Sequence, residues 1–251
     1  MTGQTQKKVD ISSLRTVVAP LPGCPGCQYM TIGRIVAEVL EELNLDGEAI
    51  VVTGIGCNAG VAVLNVDATQ GSHGGAPDMA TAIKRLSPDN FVFTVQGDGD
   101  CIAIGAGSFI GALTRGEMLS IIMCNNANYG TTGGQLAPTT LMGQSTTTSL
   151  GGRQPTEGYP VHVAELAAAF KGTAYSARGS LTNPSNYQKT KRYVRRAFQK
   201  QIDGVGLGFV EILSACPANW HKTPVQSLKW IEDEMVSEFP LGEFKNVDRI
   251  E

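Results

Sequence analysis

The sequence predicts an α/β fold, a mostly parallel sheet with helices on both faces. Three observations carry this reading. Short apolar runs, rich in β-branched or aromatic residues, alternate with helical patterns from about Leu14 to Ser214. Turn residues bound each run, as they do in buried strands. Thirty glycines in 251 residues suit close backbone turns around a ligand.

The elements follow in order. Helix Thr31–Leu43 precedes strand Ala49–Thr53, and helix Pro77–Leu86 precedes strand Phe91–Val95. Ile102–Arg115 reads as a crossover helix of small residues leading to strand Leu119–Cys124. Helix His162–Phe170 leads to strand Thr173–Ala177, and helix Pro184–Ile202 to strand Gly208–Leu213. Pro224–Glu238 reads as a last helix. Alternation of this kind favours parallel strands covered on both faces. Ligands in such sheets sit beyond the carboxyl ends of the strands. Residues 1–251 read as a single domain.

Two stretches break the pattern. Asn125–Tyr159 is rich in Gly, Thr and Gln with few core candidates. A loop of that length inside a compact domain is functional or disordered. Residues 241–251 read as a C-terminal tail that wraps a neighbour or frays.

Composition excludes several classes. A formal charge of −3 gives no general attraction to nucleic acid or anionic lipid. No stretch reaches the roughly 20 apolar residues of a membrane span. The first ten residues, MTGQTQKKVD, are polar and hold no apolar signal core. The expectation is a soluble, cytoplasmic protein. Six cysteines without a signal peptide argue against a disulfide framework and for ligand, catalytic or buried roles.

The chemistry concentrates in QGDGDC and NNANYG, Gln96–Cys101 and Asn125–Gly130. Asp98 falls where a strand ends, between Gly97 and Gly99, whose backbones allow close approach of a ligand. The helix that follows turns its positive end to the same spot, which favours a phosphate. Asp98 would repel a bare diphosphate, so a cation must lie between them. Mg²⁺ takes hard oxygen ligands and bridges carboxylates to phosphates. Asn126 offers a second oxygen at the end of the next strand. One crossover helix places the two side by side. Asp100 reads as a supporting group or a helix N-terminal charge, not as a metal ligand.

Cys24 and Cys27 stand in CPGC before a helix, and Cys57 and Cys216 follow strands. Four thiolates suit a 4Fe–4S cluster or a Cys₄ zinc site, and CPGC alone also suits a redox dithiol. Spacing does not separate them. Cys101 and Cys124 lie within apolar runs and read as buried small hydrophobes. His162 and His221 read as surface or loop positions. The basic helix face Lys189–Lys200 reads as solvated, or as a dock for an acidic partner.

GDGD followed by NNANYGTTGGQLAPTT resembles the thiamine diphosphate motif of the 2-oxoacid:ferredoxin oxidoreductases. CPGC, GIGC ending at Cys57, SHGGAP at Ser72–Pro77, SACPANW ending at Trp220 and FPLGEFK at Phe239–Lys245 resemble that family's other signatures in the same order. The likeness covers nearly the whole chain. It is greatest to the thiamine-binding β subunit of the 2-oxoisovalerate and 2-oxoglutarate types, and it implies a thiamine diphosphate-binding fold.

The resemblance implies that Asp98 and Asn126 bind Mg²⁺ by side chain and Asn128 by its backbone carbonyl. It implies that Gly97, Gly99, Tyr129, Gly130 and Thr131 line the cofactor and substrate end, with His73 close by to hold a substrate carboxylate or move a proton. It assigns Cys24, Cys27, Cys57 and Cys216 to a 4Fe–4S cluster, which would take the electrons left by decarboxylation. The implied reaction converts a 2-oxoacid and coenzyme A to acyl-CoA and carbon dioxide and reduces ferredoxin. Implied partners are a homologous α subunit that supplies the activating glutamate and a ferredoxin-like cluster-bearing subunit. The chain departs from the family pattern at Gly75 in place of arginine, at Gln28 and Tyr29 in place of Gly-His, and at Thr131 in place of a common methionine. These departures read as clustering around the substrate. Two rivals remain: a non-oxidative thiamine decarboxylase or synthase with structural zinc, and an iron–sulfur carrier without thiamine.

Overall fold

A computed structural model describes residues 23–45, 47–57 and 64–250, together with Thr16 and Val61. The polar segment 1–10 lies outside the described residues. Seven strands form one sheet: β1 (Ala49–Thr53), β2 (Asp67–Gln70), β3 (Phe91–Gly97), β4 (Ser120–Asn125), β5 (Thr173–Ser180), β6 (Leu207–Leu213) and β7 (Gly242–Asn246). Their order is β2-β1-β3-β4-β6-β5-β7. The pairs from β2 through β5 are parallel, and β7 joins β5 antiparallel.

Helices α1 (Tyr29–Glu42), α2 (Ala76–Leu86), α3 (Ala106–Arg115), α4 (Val163–Ala169) and α5 (Pro184–Ile202) cover the sheet. Successive strand residues point to opposite faces, and both faces are apolar. On one face Phe93, Val95, Ile122, Val210 and Ile212 pack with Ile32, Ile35 and Val36 of α1 and Val194 and Phe198 of α5. On the other, Ile121, Met123 and Phe209 pack with Phe109 and Leu113 of α3 and Val163 and Ala167 of α4. The register pairs Gly97 with Cys124, so β3 and β4 end level with each other.

Several elements differ from expectation. Strand β2 is largely exposed and carries no apolar run that would mark it. Residues 241–251 were expected to be an irregular tail, yet Gly242–Asn246 pairs with β5 as an edge strand. The crossover helix is entered through a π-helical turn, Gly99–Ile104. The expected helix Pro224–Glu238 is divided into α7 (Pro224–Trp230), a π-helical turn at Ile231–Met235 and α8 (Val236–Glu238). A four-residue helix, α6 (Pro217–Trp220), precedes it.

The stretch Asn125–Tyr159 is irregular, with one short 3₁₀ turn at Pro155–Glu157. It is nonetheless organised around Arg153, which is 4% exposed. The Arg153 guanidinium donates to the carbonyls of Pro138, Thr140, Gly158 and Tyr159. Ala127, Ala137 and Leu141 from the same stretch are buried. Among the described residues no helix is long and apolar enough to cross a membrane.

Candidate functional site

The cleft opens at the carboxyl ends of β1, β3 and β4. It is lined by Tyr29, Ile55, Cys57, His73, Gly97–Asp100, Asn126 and Asn128–Thr132. The structure therefore gathers Gly97, Asp98, Gly99, Asn126, Asn128, Tyr129, Gly130, Thr131 and His73 around one space. Gly99 does not open that space. A Cβ there would stand 2.3 Å from Cε1 of Tyr129, so its missing side chain makes room for the tyrosine ring.

Asp98 is 1% exposed. Its Oδ2 accepts a hydrogen bond from the Thr139 hydroxyl. Burial pushes the Asp98 carboxyl up to about 7, against bonds from Thr139 and the Gly99 backbone that favour its charged form. A cation beside it would reverse that shift.

The Asn126 amide lies between two groups. One of its terminal atoms stands 3.2 Å from Asp98 Oδ1 and 2.6 Å from the Asn128 carbonyl oxygen, and the other stands 3.1 Å from the Tyr29 hydroxyl. With its nitrogen toward Asp98, the amide donates to both oxygens. With its oxygen toward Asp98, three oxygens face one another. Octahedral Mg²⁺ with ligands at 2.0–2.1 Å sets neighbouring oxygens about 2.9 Å apart, and the 3.2 and 2.6 Å separations lie to either side of that spacing.

The loop carrying these atoms is held from behind. Ala127 adopts a left-handed conformation, φ 54°. Asn125 Oδ1 accepts from Ala127 N at 3.0 Å, and Thr140 Oγ1 donates to Ala127 O at 2.8 Å. Asn125 Nδ2 in turn donates to the buried Glu211 at 2.7 Å. Glu211 pairs with Arg178 at 2.9 Å, and both side chains are 0% exposed.

Asp100 is engaged by protein donors alone. Its Oδ1 accepts from His73 Nδ1 at 2.6 Å, Gly74 N at 2.9 Å and Ile55 N at 3.1 Å. Its Oδ2 accepts from Gln96 Nε2 at 2.7 Å. Both Asp100 oxygens are thus held by hydrogen bonds from within the chain.

The four cysteines share one rim of this face. Cys24 and Cys57 are exposed, and Cys27 and Cys216 are partly buried. Burial pushes the Cys27 thiol up to about 11, a backbone bond at Tyr29 opposes this, and the Cys216, Cys57 and Cys24 sulfurs add to it. The thiols thus lie within electrostatic reach of one another. Among the described residues, no three His, Cys, Asp or Glu side chains are gathered tightly enough to hold a single metal ion. Cys57 Sγ also lies 3.0 Å from Thr131 Oγ1, which joins the rim to the cleft. Cys101 and Cys124 are buried.

Sequence reasoning missed Thr139, Asn219 and Trp220, and it placed Gln28 wrongly. Gln28 does not face the cleft, contrary to its grouping with substrate-side departures. It donates to Leu181 O at 2.8 Å and accepts from Ala215 N at 2.9 Å, so it ties the Cys27 segment to the Cys216 segment. Tyr29 does line the cleft.

The family model for the C-terminal TPP-binding domain of thiamine pyrophosphate enzymes matches residues 52–212, from β1 to β6. The chain belongs to the thiamine pyrophosphate enzyme family. Within it, the relatives are subunits of 2-oxoacid oxidoreductases. Ketoisovalerate oxidoreductase subunit VorA of Methanothermobacter marburgensis is 38% identical over 226 residues, 89% of this chain and 47% of the relative. The 2-oxoglutarate synthase subunit KorB of Archaeoglobus fulgidus is 34% identical over 222 residues, 88% of this chain and 79% of the relative. The chain thus spans about half the length of VorA and most of that KorB. The fold of the 2-oxoglutarate:ferredoxin oxidoreductase from Magnetococcus marinus superposes with a TM-score of 0.77 at 21% identity, over 93% of this chain and 84% of that one. Thiamine pyrophosphate, equally called thiamine diphosphate, is the cofactor that this family's domain binds.

Proposed function

We propose that the chain is the thiamine diphosphate-binding subunit of a cytoplasmic 2-oxoacid:ferredoxin oxidoreductase of the 2-oxoisovalerate or 2-oxoglutarate type. The assembly converts a 2-oxoacid and coenzyme A to acyl-CoA and carbon dioxide and passes electrons to ferredoxin. The observation that carries this reading is that Asp98 Oδ1 and the Asn128 carbonyl oxygen both lie within 3.2 Å of one atom of the Asn126 amide, at two adjacent strand ends. The VorA and KorB relatives support the reaction class.

In this reading Asp98, Asn126 and Asn128 hold Mg²⁺ and through it the diphosphate. Thiamine diphosphate, when bound, supplies the carbanion-stabilising chemistry that decarboxylation needs. Thr139 fixes the Asp98 carboxylate, and the Tyr129 ring against Gly99 shapes the wall. His73 presents Nε2 to the cleft, because Nδ1 is committed to Asp100; it holds a substrate carboxylate or moves a proton there. Thr131, which also lines the cleft, serves the substrate end.

Cys24, Cys27, Cys57 and Cys216 hold a 4Fe–4S cluster that receives electrons one at a time. Support comes from their shared rim, the Gln28 tie between two of their segments, and the Cys57–Thr131 contact.

The cleft is half of an active site. Among its described lining residues the only carboxylates are Asp98 and Asp100. Asp100 is fully engaged, and Glu211 lies behind the sheet end against Arg178. A homologous α subunit therefore supplies the activating glutamate, and a further cluster-bearing subunit carries electrons onward.

The test is anaerobic purification alone and with the partner chains. The isolated chain should hold about four irons with broad absorption near 400 nm and bind thiamine diphosphate only with Mg²⁺. It should not reduce a viologen dye with 2-oxoacid and coenzyme A until the partner is added. Colourless protein with one zinc would refute the cluster, and full turnover by the single chain would refute the shared site.

A further inference from the structure

One side-chain amide spans the gap between the thiol rim and the cofactor loop. Asn219 Nδ2 lies 2.8 Å from Gly130 O and 3.4 Å from Cys216 Sγ. The same residue packs close beneath the end of that loop. Gly134 has φ +82°, and a Cβ there would stand 2.9 Å from Asn219 Cβ. The next residue reaches the loop as well: Trp220 Nε1 donates to Asn126 O at 3.1 Å, and its ring packs on Trp230 at 4.4 Å. From the other side Cys57 Sγ touches Thr131 Oγ1 at 3.0 Å. Residues 126–131 therefore run between two cysteines, and Asn219 contacts a cysteine and the loop with one nitrogen.

We propose that Asn219 is a positioning residue that couples the thiolate centre to thiamine diphosphate binding. It sets the centre's reduction potential through its N–H to the Cys216 sulfur, and it holds the Gly130 carbonyl in the binding geometry. This rests on the reading of Cys24, Cys27, Cys57 and Cys216 as a cluster site. Ligation converts the Cys216 thiol to thiolate, and a charged sulfur accepts a stronger hydrogen bond. That bond fixes Asn219, and Asn219 fixes Gly130. A donor on a ligating sulfur favours the more negative, reduced state of a cluster and so raises its potential. Linkage is reciprocal: if cluster loading tightens the cofactor, the cofactor tightens the cluster.

The test compares wild type, Asn219→Ala and Asn219→Asp as full chains reconstituted anaerobically. Three quantities are read: iron content, midpoint potential by dye-mediated titration, and thiamine diphosphate affinity by calorimetry with the iron present and after its removal. Wild type should bind thiamine diphosphate about fivefold or more tightly when loaded, the lower end of typical couplings. Asn219→Ala should keep its iron, shift to a more negative potential and lose that difference. Asn219→Asp keeps the shape, faces the sulfur with an acceptor, and should shift the potential further. It carries the test if the alanine variant does not fold. A loaded Asn219→Ala with wild-type potential and wild-type dependence of affinity on iron overturns the coupling alone. A wild-type chain that takes up no iron overturns the cluster reading and this inference with it.

Discussion

Asp100 Oδ1 and His73 Nδ1 are 2.6 Å apart. A carboxylate oxygen accepts, so Nδ1 carries the proton and Nε2 is the ring nitrogen left to the cleft. The same carboxylate binds the backbone after β1, the turn before α2 and Gln96 of β3. One side chain thus sets the histidine tautomer and ties three segments.

Asp100→Asn places a donor among donors. It should cost about 2–3 kcal/mol of stability, the range for stranded buried partners, and leave the Mg²⁺ requirement for cofactor binding intact. Urea unfolding and calorimetry with and without Mg²⁺ check this. Loss of the Mg²⁺ requirement with full stability would assign the metal to Asp100.

Asp98→Asn should show the opposite pattern. The buried carboxylate is under strain without a cation, as its rise to about 7 indicates. The cofactor-free variant should be as stable as wild type at pH 8 or more stable by about 1 kcal/mol. Its affinity for thiamine diphosphate with Mg²⁺ should fall at least about tenfold, ~1.4 kcal/mol. A variant that loses stability yet keeps affinity would contradict the clamp.

Thr139→Val removes the hydroxyl that orients Asp98 and keeps the branched shape. Affinity should fall about fivefold, the ~1 kcal/mol of one hydrogen bond. Titration at saturating Mg²⁺ reads it, and unchanged affinity would show that the carboxylate orients itself.

Glu165 supplies a pH dependence of stability. Burial raises its pKa, but the Arg178 guanidinium outweighs this and holds the carboxyl below the usual carboxylate range. A lowered folded pKa stabilises above the unfolded value and is lost as pH falls through the folded one. Wild type should therefore lose stability below about pH 5 more steeply than Glu165→Gln. The difference should be no more than about 1 kcal/mol, since part of Glu165 is open to water. Urea midpoints at pH 7, 5, 4 and 3 measure it, and parallel curves would contradict it.

The central strands were legible because both faces of each are buried. Ala49–Thr53 has the same bounds in sequence and structure, and β3 runs on only to Gly97. The edge strands were not, because Asp67–Gln70 is largely exposed and Gly242–Asn246 has no fully buried residue, so neither carries a buried apolar pattern. Asp98, Asn126 and Asn128 were legible as short motifs at strand ends. Thr139 was not, because it meets Asp98 across 41 residues from within the irregular loop. Gln28 meets Ala215 across 187 residues and Asn219 meets Gly130 across 89. Contacts of that range arise from topology and leave no local pattern.

The antiparallel strand β7 matters for handling the molecule. Phe239 and Phe244 lie 5.3 and 5.0 Å from the Arg178 guanidinium, and Pro240 O accepts from it at 3.0 Å. A proteolytic nick near Pro240, or a purification handle that drags β7 away, would bare the β5 backbone as a sticky edge. It would also let water onto Arg178 and Glu211, and Glu211 braces Asn125. Cofactor loss in a clipped preparation would then be a symptom of damage at the far end of the sheet.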